Sequence, residues 1–72
     1  MKYPISTGQA AQLLQTTEPR LSELVRQGKI EPAPAIFAGR RLWHATHLLQ
    51  AGRQLELLSD ELERQLEAEV AS

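Results

Sequence analysis

Residues 5–30 read ISTGQAAQLLQTTEPRLSELVRQGKI. Their spacing predicts two short helices joined by a tight turn, over residues 6–15 and about 18–27. Ser6 is an N-cap residue, and Gln9 three positions on completes a capping-box pattern. Ile5, just before the cap, is placed to staple onto Ala10. Ala10, Leu13 and Leu14 fall on one helical face, and Ala11 is small where the two helices must cross closely. Thr17 is a second N-cap. Pro19 sits in a first helical turn, where its missing N–H would have had no partner. Leu21, Leu24 and Val25 give the second helix an apolar face, and Gly28 is where it stops.

On the C-terminal side, residues 31–43 read EPAPAIFAGRRLW. Pro32 and Pro34 exclude helix. Ile36–Phe37 and Leu42–Trp43 flank Ala38-Gly39-Arg40-Arg41, which predicts a short β-hairpin with a glycine-containing turn. Phe37 and Trp43 are expected to cover a small core. Arg40 and Arg41 are expected at the hairpin tip, where guanidinium groups can reach phosphates or enter a minor groove. The plainer reading is two solvated turn charges. On the N-terminal side, residues 1–4 read as an extended lead-in with Tyr3 against the core.

The stretch resembles the helix-turn-helix of MerR-like and excisionase-like DNA-binding proteins. Their usual string is T-x-x-E-A-A-x-L-L-G-V-S, then a second helix, then G-K-L-P. The matching residues are Ser6, Gln9, Ala10, Ala11, Leu13, Leu14, Thr17, Leu21, Leu24, Val25, Gly28, Lys29, Ile30 and Pro32. The resemblance continues through wing residues Gly39, Arg40, Arg41 and Trp43 to about Leu49. Two positions depart from it. Gln15 stands where the family usually has glycine in a left-handed conformation, at a cost of about 1 kcal/mol. Thr16 stands where an apolar residue is usual. The fold implied is mainly α with a small β-hairpin wing, a winged helix-turn-helix followed by a C-terminal helix.

Residues 45–71 are helix-prone. Leu48 and Leu49 belong to the helix that closes the winged domain, expected to span residues 1–54. Gly52 is placed to break or kink the run, and Ser59 to cap a new helix with Asp60 and Glu61 in its first turn. Leu55, Leu58, Leu62, Leu66 and Val70 form a stripe at three- and four-residue steps. The domain is too small to cover it, so residues 55–72 are expected to pair with a second copy as a homodimer, more readily antiparallel. A chain ending at Arg53 is then expected to fold alone. MerR-like proteins resemble this arrangement, with a dimerising helix after the winged domain. No effector-binding domain follows here, so no small-molecule effector is expected.

Seventy-two residues bound the chain to one domain with a small core. Cysteine is absent, which removes disulfides and thiolate zinc sites. Neither an apolar leader nor a spanning run is present, so a cytoplasmic protein without membrane contact is expected. The net charge of −1 argues against nucleic acid, but its distribution does not. Residues 1–54 carry Lys2, Arg20, Arg26, Lys29, Arg40, Arg41 and Arg53 against Glu18, Glu23 and Glu31, a net +4. Residues 55–72 carry Arg64 against Glu56, Asp60, Glu61, Glu63, Glu67 and Glu69, a net −5. A basic body with an acidic appendage suits a module whose tail faces away from phosphate.

His44 and His47, three apart, lack the further ligands a metal needs. His44 reads instead as the N-terminal residue of the next helix. No catalytic triad, phosphate loop or paired carboxylates can be assembled, so neither an enzyme nor a cofactor is expected. The expected function is sequence-specific binding of double-stranded DNA, as a transcription regulator, an excisionase-type recombination factor or a small terminase-like subunit. The second helix would enter the major groove and the wing an adjacent one. Arg20, Ser22, Glu23 and Arg26 are the candidate base readers, and Thr17 a phosphate contact. Two alternatives are a protein-interaction module on the same fold, favoured by Glu18 and Glu23, and an oligomerising scaffold built on the tail.

Overall fold

The computed structural model describes residues 2–30 and 33–71. Met1, Glu31, Pro32 and Ser72, and with them the readings placed on Glu31 and Pro32, lie outside the described residues. Helix α1 spans Thr7–Leu13 and α2 spans Glu18–Arg26. The Ser6 hydroxyl accepts the Gln9 N–H at 3.1 Å, and Gln9 Oε1 accepts the Ser6 N–H at 3.2 Å. Two of the helix's first donors are thus satisfied within one turn. Thr17 Oγ1 accepts the Arg20 N–H at 3.3 Å and starts α2 in the same way.

Both helices end by the same device. The Gln15 and Thr16 N–H groups donate back to Gln12 and Ala11 carbonyls, which requires Gln15 at φ +57°. Gly28 and Lys29 donate to Val25 and Leu24, with Gly28 at φ +76°. These are paired C-terminal bonds around a left-handed residue. At Gln15 a side chain bears the strain that Gly28 escapes.

Strand β1, Ile36–Phe37, pairs antiparallel with β2, Arg40–Arg41, with Ile36 opposite Arg41 and Phe37 opposite Arg40. The turn is Ala38–Gly39, both at positive φ, as in turns whose twist suits a hairpin. Arg40 and Arg41 therefore belong to the second strand and not to the tip, where sequence placed them. Phe37 is also corrected. It is 71% exposed and Ile36 is 61% exposed, because the turn holds both away from the helices.

Trp43 is the fully buried aromatic of the core, and Tyr3 packs against that core half-buried. The Trp43 indole N–H donates to Thr7 Oγ1 at 3.0 Å, and the Trp43 backbone exchanges two 2.9 Å bonds with Ile5. The bridge ties the lead-in to the root of the hairpin. Leu14, Leu21, Ile30 and Leu48 complete the buried centre.

Helix α3 spans Ala45–Leu55 and α4 spans Asp60–Ala71. Gly52 does not break α3, which runs through it to Leu55. It is buried, and a Cβ on it would overlap the Leu58 side chain, so its role is close approach. The turn falls later, at Glu56 with φ +57°, where Leu57 N–H donates to Gly52 O at 2.8 Å. Ser59 Oγ then accepts the Leu62 N–H at 3.2 Å and caps α4.

This turn folds α4 back onto α3. Leu66 is 1% exposed within the common core, and Leu55, Leu58 and Leu62 are half-buried against it. Of the five stripe residues only Val70 stays exposed, at 45%. The chain thus covers part of this stripe itself, through Leu66 and its half-buried neighbours, and residues 55–71 share a core with the winged part. Arg53 on α3 clamps the packing through Glu63 at 2.9 Å and Glu67 at 3.1 Å on α4. The whole is a helical domain with a small β-wing. No helix among the described residues is long and apolar enough to cross a membrane.

Candidate nucleic-acid interface

Helix α2 buries Leu21 and Val25 and half-buries Leu24. A period of 3.6 residues then turns Arg20, Ser22, Glu23 and Arg26 outward, and all four are exposed, as is Thr17 at the cap. The Thr17 hydroxyl oxygen is occupied by the Arg20 N–H, leaving its own proton to donate.

Glu23 and Arg26 are not independent. The Glu23 carboxylate accepts from the Arg26 guanidinium and, at 3.2 Å, from Gln27 Nε2. Sequence treated the two as separate base readers. Their spacing of three already places them side by side on a helix. Arg20 makes no ion pair among the described residues and is the unencumbered cation of this face.

The hairpin divides its two arginines. Arg41 is half-buried and its Nη1 donates to the Pro34 carbonyl at 2.8 Å, bracing the hairpin stem. Arg40 is exposed and has no ion-pair partner among the described residues. Neighbouring residues of a strand point to opposite faces, which is why one arginine is structural while the other reaches out.

A cleft of about 410 Å³ joins these elements. Ser6 and Thr7 at the start of α1, Glu18 and Ser22 of α2, and Gly39, Arg40 and Arg41 of the wing line it. It brings together Ser22, Arg40 and Arg41 of the expected site. Arg20, Glu23, Arg26 and Thr17 lie outside its lining. Ser6, Thr7 and Glu18 are additional members that sequence assigned to capping or to a charge count. Their only signal was position at two helix starts that cross closely. Glu18 crowds Gly8, where an added Cβ would lie 3.2 Å from its Oε2.

His44 and His47 stand away from this cleft, with ring centroids 5.6 Å apart. His47 Nδ1 accepts the His44 N–H at 3.0 Å, so the pair starts α3. Burial, and then the neighbouring His44, hold the His47 imidazole below its ordinary pKa. Burial and the nearby Glu69 carboxylate raise the Tyr3 phenol, which sets the lead-in beside α4. No group of three or more potential ligands that could hold a metal occurs among the described residues. No family model, curated protein or solved structure matches the chain.

Proposed function

We propose that the chain is a sequence-specific double-stranded DNA-binding protein of the MerR-like or excisionase-like winged kind. The observation that carries this is the pairing of α2 with the wing across one cleft, lined by Ser22 on one side and Arg40 on the other. A helix with a polar outer face beside a hairpin with an outward arginine is the kind of pairing that winged modules set on a major groove and its neighbour. Arg20 is the base reader, with Glu23 and Arg26 acting as a coupled pair. Arg40 meets a phosphate or the minor groove. Arg53 is bound to Glu63 and Glu67, so it lends no charge to the duplex.

A homodimer through the leucine stripe would require α4 to leave its own core. A single chain on a single site is therefore the working arrangement. A protein-interaction role gains support from one observation, the exposed Ile36 and Phe37.

Titrating a labelled random duplex at increasing salt tests the proposal. Phosphate contacts give a log–log slope of about −0.9 each. Affinity that falls steeply with salt, together with enrichment of one sequence from a random pool, is the expected result. Binding that is absent at low salt would overturn it.

A further inference from the structure

The chain has one Phe, one Trp and one Tyr. Trp43 is wholly buried and Tyr3 is half-buried. Phe37 is 71% exposed on the last residue of β1. A domain this small gains most from burying aromatics. Yet the fold sets this ring in water, beside a turn of two small residues, Ala38 and Gly39. Small residues at the apex let a hairpin approach a surface closely and leave the ring as the part that projects.

The ring's neighbour across the hairpin is Arg40, its direct partner in register. Residues opposite each other share a face, so a flat apolar group is presented together with a guanidinium that has no ion-pair partner among the described residues. The support behind them is stiff. Arg41 is tied to the Pro34 carbonyl at 2.8 Å, Leu42 N–H donates to Ala35 O at 2.9 Å, and Trp43 is bonded to Ile5. A tip rooted this way can press into a surface without first having to be ordered.

We propose that Phe37 is a wedge that enters a base step of duplex DNA from the minor groove, with Arg40 on the adjoining phosphate. The inference rests on the DNA-binding reading above and extends it to a deformation of the duplex. An aromatic edge flanked by a cation is the arrangement that unstacks and kinks a step while anchoring to the backbone. Among the described residues the hairpin's other exposed large apolar group, Ile36, lies on the opposite face, so neither face offers much area for an apolar protein contact. Flexible pyrimidine–purine steps are the expected point of entry, because they unstack most cheaply.

The test uses a duplex recovered from a random pool, with 2-aminopurine replacing adenine at successive positions. Anisotropy reads binding and 2-aminopurine emission reads unstacking on the same sample. The full chain is expected to brighten the probe at one step beside the wing's groove. Phe37→Ala should abolish the brightening and weaken binding about tenfold. Phe37→Leu should restore part of both. The exposed position makes both variants fold like the parent, which thermal melting checks. Binding by the parent without brightening at any position overturns the wedge and leaves the DNA reading intact. Brightening that persists in Phe37→Ala also overturns it. Absence of binding by the parent overturns both readings together.

Discussion

Leu58 packs against Gly52 so closely that a methyl group on Gly52 would overlap its side chain. Alanine is ordinarily favoured over glycine inside a helix by about 1 kcal/mol. Here overpacking opposes it, at a cost of about 1–3 kcal/mol. Gly52→Ala is therefore expected to lower stability, measured by urea denaturation. A stabilised variant would show that Leu58 moves aside freely.

The tail gives a second prediction. Leu66→Ala opens a cavity in the common core and should cost about 2–5 kcal/mol. Val70→Ala, at an exposed position, should change stability by no more than about 0.5 kcal/mol. A chain ending at Arg53 loses Leu66 and the cover over α3, so it should melt far below the full chain and not fold alone. Sedimentation equilibrium of the full chain should give a monomer. A stable dimer weakened by Val70→Ala would restore the paired-helix arrangement.

The wing arginines should separate. Arg40→Ala should weaken binding to preferred and random duplexes by similar factors, and the salt slope should fall by about one unit for the lost phosphate contact. Arg41→Ala removes the bond to Pro34 and should lower stability by about 1 kcal/mol. Thermal melts and duplex titrations of both variants check this. Equal effects in both assays would put the two side chains on the same task.

On α2, Arg20→Ala should cost about 1–3 kcal/mol on the preferred site and relax its base preference. Glu23→Ala frees Arg26 from its partner. It should raise affinity for random duplexes and blur the selected sequence, as read by repeating selection from a random pool with each variant. An unchanged sequence in both would move base readout elsewhere.

Acid should weaken the fold through His47. Its Nδ1 must be unprotonated to accept the His44 N–H, and burial holds its pKa down in the folded chain. The unfolded chain thus takes the proton more readily. Stability is full above the ordinary histidine pKa of about 6.5 and declines as pH falls through it. His47→Gln keeps an acceptor like that of Gln9 in α1 and should flatten the decline. Melting temperatures at about pH 7.5 and about pH 5.5 make the comparison.

What the sequence disclosed, and what it hid, follows the range of the interactions. The caps at Ser6, Thr17 and Ser59 are local chemistry, and each lies where spacing put it, while the left-handed turn at Gln15 lies where the resemblance implied one. The outward face of α2 is equally local, a matter of helical period. The tail was different. A leucine stripe looks the same whether a second chain or its own core covers it. Here the choice rests on Glu56 turning the chain back and on Gly52 offering a flat landing for Leu58. Phe37 illustrates the same limit. Its apolar side chain signals burial, and only the two-residue turn beyond it shows that the hairpin points elsewhere. Within the candidate site, Arg41 and Arg40 are adjacent and chemically identical in sequence. Strand alternation alone separates brace from contact.

Trp43 is the chain's single tryptophan, wholly enclosed and tethered to Thr7 and Ile5. An indole in that setting is a built-in optical gauge. Its emission should be blue while α1 and the hairpin root stay joined, and should redden when they part. A ligand arriving at the surface does not touch it. Any variant that loses its partner can therefore be sorted, unlabelled and in one cuvette, into those that have lost a contact and those that have lost their shape.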